Sequence, residues 1–165
     1  MGIVNAAVWC GSAIFMVIAL PALFSPQLER LLTAPYVGFA AEAIVGRFFM
    51  VQYWCGGIAL FHLLAEWFYN GRPLWRLNLW LVIIVLSLGL GGGLLAQPKM
   101  RALHITKYFG KTSEQRTQAA KSFAVLHAAS ETVNLVVIGS LIWYLWSVCK
   151  VPEAQRFVGF SKIRG

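Results

Sequence analysis

The chain has 165 residues, of which 59% are apolar and only 12% charged, and its formal net charge is +8. A soluble domain carries about 25% charged residues. This chain has too much apolar surface for a water-soluble fold of its size, and a bilayer-embedded fold is expected. Its Lys and Arg residues sit between hydrophobic segments and in the C-terminal tail rather than in one patch. That placement fits anionic lipid headgroups and topology control, and nucleic acid is not an expected partner.

Cys10, Cys55 and Cys149 are far apart and form no CxxC. An odd, scattered set argues against a disulfide framework, so each reads as a small buried hydrophobe. No basic stretch precedes the first apolar run, which favours a retained helix over a cleaved signal peptide. Met-Gly-Ile-Val-Asn-Ala lacks the Ser or Thr of a myristoylation signal. There is no phosphate loop, nucleophile elbow or HExxH, so nothing points to a hydrolase.

Four apolar segments follow in order. The first, residues 4–24, has the roughly 20 residues that cross about 30 Å of hydrocarbon. Pro21 and then Ser25-Pro26 are expected to end it. The second, 39–67, carries Glu42 and Arg47 near its start and Gln52, Tyr53 and His62 within, and Gly46, Gly56 and Gly57 would allow close helix approach. Asn70-Gly71 followed by Pro73 reads as a helix cap and turn. The third, 74–96, ends at Pro98. Its Gly89 and Gly93 form a GxxxG pair beside Gly91 and Gly92, a flat surface for a neighbouring helix or a flat ligand.

Residues 99–121 are the longest polar stretch. Met100, Leu103, Ile105, Tyr108 and Phe109 suit a segment lying on the membrane surface while its cations reach headgroups. Thr112 with Gln115 reads as a capping box that starts the fourth helix near Ser113. That helix spans 122–147 and precedes a basic tail, 148–165, with Phe157 and Phe160. The expected fold is an all-α membrane protein, a single domain of four transmembrane helices with an interfacial segment before helix four.

Four crossings put both termini and loop 71–76 on one face, and connectors 25–38 and 97–121 on the other. The second face has eight cations (Arg30, Arg47, Lys99, Arg101, Lys107, Lys111, Arg116, Lys121) and the first has six (Arg72, Arg76, Lys150, Arg156, Lys162, Arg164). The positive-inside rule therefore points loop 97–121 to the cytoplasm. Six of the seven tryptophans fall near the termini face, as a one-sided aromatic belt, Trp54 being the exception. The expected location is a bacterial inner (plasma) membrane.

The fourth segment holds the most informative side chains. His127 and Glu131 are four apart on one helical face, with Asn134 one turn further and Ser130 beside them. Ionisable groups within a span are costly, so they are expected to turn toward protein or water. The sequence predicts that Arg47 and Tyr53 of helix two join His127 and Glu131 in one hydrogen-bonded pocket between helices two and four. Interhelical glue is the alternative reading of the same stripe. A haem held by His62 and His127 is opposed by depth. Counted from Arg47 and Lys121, they lie about 22 Å and about 9 Å into the bilayer. His127 with His104 matches better in depth, although His104 falls in the connector. For copper, Met16, Met50 and Met100 offer soft donors but no MxxM or CxxC spacing.

Gln97-Pro98 followed by Phe123-x-x-x-His127-x-x-Ser130-x-x-x-Asn134-Leu135 resembles the C-terminal half of the transmembrane protein 205-like domain. Trp9-x-Gly11, Pro21 with Phe24, and Gly46-Arg47-Phe48-Phe49 resemble its N-terminal half. The resemblance covers nearly the whole chain and implies a four-helix membrane protein. That group is similar to CopD-type copper-resistance and HemJ-type haem-biosynthesis bundles, which implies haem b or copper as a cofactor. It carries over Arg47, His127, Ser130 and Asn134 as site members; Glu131 comes from the polar stripe alone.

Three functions are consistent with the sequence. One is a ligand- or metal-binding bundle with a His/Glu/Arg pocket. The second is a non-enzymatic accessory subunit that packs into a larger membrane complex or homo-oligomer through the Gly89–Gly93 surface or the tryptophan belt. The third is a small proton or solute transporter acting as an oligomer.

Overall fold

In a computed structural model that describes residues 2–31, 33–70 and 76–150, every regular element is helical. The expected turn at Gly71 and Pro73, and the tail beyond Lys150, lie outside the described residues. Helix α1 is Gly2–Leu23, α2 is Pro26–Leu31 and α3 is Ala34–Asn70. Helix α4 is Arg76–Gly91, a π-helical segment covers Gly92–Ala96, α5 is Gln97–Phe109 and α6 is Ser113–Cys149. Four helices are long and apolar enough to cross a membrane: Gly2–Leu23, Pro35–Tyr69, Leu77–Phe109 and Ser113–Cys149.

The cross-helix contacts fix an up-down-up-down order. Asn5 donates to the Cys55 carbonyl at 2.9 Å and Trp9 to Gln52, so α1 and α3 are antiparallel. Gln97 reaches the Glu42 carbonyl at 3.4 Å, and Ser130 meets Met100 at 3.8 Å. Gly2 and Lys150 thus lie at the same end of the bundle, where Gly2 abuts His62. Helix α1 packs on α3 and α6, and α4 packs on the same two. The pairs α1/α4 and α3/α6 therefore stand on the diagonals.

Trp9 is fully buried at the centre, among Ala13, Ala59, Val82, Val85, Leu141 and Tyr144. Its ring meets Tyr144 edge-on, with centroids 6.3 Å apart. Its indole N–H donates to the Gln52 carboxamide oxygen, which satisfies both buried polar groups. Gly56 makes room for this arrangement, because a Cβ there would come within 2.7 Å of Leu86 Cδ1 and 3.3 Å of Trp9 Cη2. Gly57 was expected to act likewise, but it faces open space and packs nothing. Outside the core, Phe15, Ile18, Trp54, Phe61, Ile84 and Leu135 are exposed, an apolar exterior of the kind a bilayer covers.

One boundary agrees with the sequence expectation and one differs. Pro21 lies in the last turn of α1, which ends at Leu23 just before Ser25-Pro26. Pro98 does not end the third helix. Proline has no N–H and its ring collides with the carbonyl four residues before it, here that of Leu94. The helix widens across Gly92–Ala96, where the Gln97 N–H bonds back to the Gly92 carbonyl, and then continues as α5. The expected interfacial segment is thus the upper part of the third helix, packed along α6 rather than lying flat. The start of α6 at Ser113 agrees with the sequence, and the Thr112 hydroxyl accepts from the Gln115 N–H at 3.2 Å.

Two stability outcomes follow from this packing. Gln52→Leu should strand the Trp9 indole N–H and cost about 1–3 kcal/mol, read as a lower thermal unfolding midpoint in detergent. An alanine at Gly38 would drive its Cβ into the His104 ring. Overpacking of that kind costs roughly 1–3 kcal/mol, so Gly38→Ala should lower the midpoint while Gly57→Ala leaves it in place.

Candidate functional site

The inward stripe of α6 sets where its polar groups go. Val137, Leu141 and Tyr144 are buried, and Phe123, Leu126, Ser130 and Asn134 continue the same line as half-buried positions. The steps of three and four residues are those of a helix face packed on its neighbours. His127 and Glu131 come one residue after Leu126 and Ser130, about 100° further round. They point out of the bundle, with side chains 53% and 67% exposed, and meet each other at 3.2 Å.

The expected pocket between helices two and four is therefore not formed. Its two helices stand on a diagonal, and no ion pair joins Arg47 to Glu131 among the described residues. Ser130 bonds the Leu126 carbonyl at 2.8 Å and touches Met100. Asn134 is half-buried on the inward line. Arg47 and Tyr53 lie together elsewhere, on the side of α3 that meets the π segment.

There they line an open groove of about 420 Å³ with Ala43, Gly46, Phe49, Met50, Gly93, Leu94 and Gln97. Each wall has a local cause. The Phe49 and Tyr53 rings stack at 6.4 Å, one turn apart on α3. Gly92 and Gly93 receive them: a Cβ on Gly92 would come within 2.9 Å of Phe49, and one on Gly93 would strike the Tyr53 hydroxyl. The glycine cluster is thus a seat for two aromatic rings, and Gly89 lies 3.9 Å from Gln52 Cβ by the same measure. The Tyr53 hydroxyl is held only by a long 3.5 Å bond to the Gly89 carbonyl. At the other end Gln97 is anchored to the Glu42 carbonyl, and Arg101 Nε pairs with Glu42 Oε1 at 3.3 Å. Arg47 itself is exposed and has no ion pair or hydrogen-bond acceptor among the described residues.

Above the groove, His104 is buried to 8% exposure in α5 rather than sitting in a connector. Phe39, Tyr108 and Phe123 surround its ring at 5.4, 5.0 and 6.0 Å, and Gly38 lies against its Nε2. Its Nδ1 has no hydrogen-bond partner among the described residues. Lys107 Nζ stands over Tyr108 at 5.0 Å and Phe123 at 5.7 Å.

This placement bears on haem and copper. Phe123 stacks on His127 at 5.9 Å and faces His104 at 6.0 Å, so its ring occupies the space between the two histidines. His62 is toward the other end, 3.8 Å from Glu66. No group of three or more His, Cys, Asp or Glu side chains that could hold a metal occurs among the described residues. These residues do not fit the metal or haem ligand set that the resemblance implies.

Gln97, Phe49, Met50 and Leu94 were not singled out as site members from the sequence. The available signal was Pro98 five residues beyond Gly93 of a glycine cluster, since π-type widenings recur at functional sites. Comparison with protein-family models, with curated proteins and with solved structures finds no match to this chain.

Proposed function

We propose that this chain is a multi-pass membrane protein whose activity is binding, and that the groove between α3 and the π segment is its ligand site. One observation carries the reading. An otherwise apolar groove holds a guanidinium with no acceptor among the described residues, together with a carboxamide and a phenol. Sites for small amphipathic molecules combine apolar walls with a few placed polar groups in this way.

As part of this reading, a slab of about 30 Å is set on the bundle. Roughly residues 2–21, 46–66, 77–97 and 130–149 are assigned to it. Gly46 meets Gln97 and Ser130 meets Met100 at one limit, while Gly2 meets His62 near the other, where Trp67 also stands. The cation-rich end with Lys99, Arg101, Lys107, Lys111, Arg116 and Lys121 is the cytoplasmic one by the positive-inside rule. Arg47 then sits at the inner rim of the hydrocarbon, and the groove opens where Met50 and Leu94 are exposed. His127 lies beyond the rim, where exposure costs little.

A second reading, an accessory subunit of a larger membrane complex, is favoured by the open face of α6. There the exposed Ala124, Ala128 and Thr132 accompany the His127–Glu131 pair, a surface that a partner helix could cover.

Leu94→Trp tests the groove directly, because it fills the space from an exposed position and leaves the core alone. Wild-type protein released from membranes in mild detergent should retain a bound small molecule in native mass spectrometry. The Trp variant should lose it at an unchanged unfolding midpoint. Equal retention by both would end the proposal.

A further inference from the structure

We infer that the groove selects an anionic, phosphate-headed lipid drawn from the surrounding bilayer, with its phosphate on Arg47 and the start of its acyl chain between Met50 and Leu94. This rests on the groove being the ligand site and adds the chemical class of what it takes.

The charge balance is the first support. Two cations and one carboxylate stand at this end of the groove, and the carboxylate is taken. Glu42 holds Arg101 at 3.3 Å, which leaves Arg47 uncompensated. A guanidinium presents a planar fork of donors that matches phosphate oxygens two at a time. Gln97 adds a second donor, since its Nε2 uses one hydrogen on the Glu42 carbonyl and has another.

Polarity along the groove is the second support. Charged and amide groups are confined to the end at Arg47 and Gln97. From there the lining runs through Met50, Phe49 and Leu94 to Tyr53, about 9 Å along α3. A free anion would meet only the first part of this surface, and a neutral apolar molecule only the second. A lipid with one phosphate satisfies both, and it enters from the side on which Leu94 and Met50 are exposed.

The shape is held by packing within the groove's own walls. The Phe49 and Tyr53 rings are seated on Gly92 and Gly93, so the wall is formed before any ligand arrives. A preformed site spends little of its binding energy on ordering itself.

The test uses full-length protein, stripped in detergent, titrated with phosphatidylglycerol, diacylglycerol or inorganic phosphate and read by native mass spectrometry. Wild type, Arg47→Gln and Leu94→Trp are compared at matched unfolding midpoints. The inference expects one phosphatidylglycerol per chain, an apparent affinity at least about tenfold weaker in Arg47→Gln, and loss of binding in Leu94→Trp. Inorganic phosphate should not displace the lipid. Diacylglycerol binding as tightly as phosphatidylglycerol, with Arg47→Gln unchanged and Leu94→Trp blocked, would overturn the phosphate assignment and leave the groove standing. Displacement of the lipid by inorganic phosphate would overturn the lipid source. Lipid binding that Leu94→Trp does not affect would sink both.

Discussion

The widening of the third helix at Gly92–Ala96 is the constraint on which the rest of the structure depends. A proline within a helix usually forces a kink or a stop, because it lacks a donor and crowds the carbonyl behind it. Here the π register absorbs both faults and lets the chain run on from Leu77 to Phe109. Had the helix stopped at Pro98, α5 would not lie along α6, Arg101 would not reach Glu42, and His104 would not be buried against Gly38. The same widening brings Gly93 and Leu94 to the groove, opposite Arg47 and Tyr53. The widening thus bears both on the continuity of the third helix and on one wall of the groove.

The lengths matter as well. Helices α3 and α6 have 37 residues each, about 55 Å at the usual rise, well beyond the roughly 30 Å of hydrocarbon. The surplus lies at one end and is stabilised as water-exposed structure would be. It has an ion pair between Glu42 and Arg101, a Thr112 cap, and a histidine boxed by aromatic rings. The lower part is held as a membrane bundle would be, by small residues at close approach and by neutral polar pairs such as Trp9 with Gln52.

The number and nature of the apolar helices were legible in the sequence because hydrophobic length is a local property. So was the start of α6, since a capping Thr112 with its Gln115 partner is read within one turn. The fate of Pro98 was not, because a proline after an apolar run is the same signal whether the helix stops or widens. The pocket at His127 and Glu131 failed for another reason. Their spacing gave a common face correctly, but not which way that face points. That depends on the phase of Leu126, Ser130, Asn134 and Val137, which sit one position away and carry a mixed polar and apolar signal. Nor does order along the chain say that helices two and four of a square bundle stand on a diagonal. Arg47 and Tyr53 were chosen for reasons of charge and depth, and they do line one groove, but their companions there come from the third helix.

The polar groups also sort by cost. With the bilayer registered as proposed, neutral polar side chains within the span find partners inside the bundle: the half-buried Asn5 on Cys55 and the buried Gln52 on Trp9. Ionisable groups gather at the rims or beyond, where His127 meets Glu131 and Glu42 meets Arg101. A buried charge without a partner is expensive, and a charge at the rim is cheap if lipid phosphates supply the counter-ion. Arg47 follows neither pattern fully. It stands at the inner rim, beside an apolar groove, with no acceptor among the described residues. On the proposed reading, that charge is answered by a ligand that arrives through the bilayer, and the groove beside it sets what shape such a ligand can take.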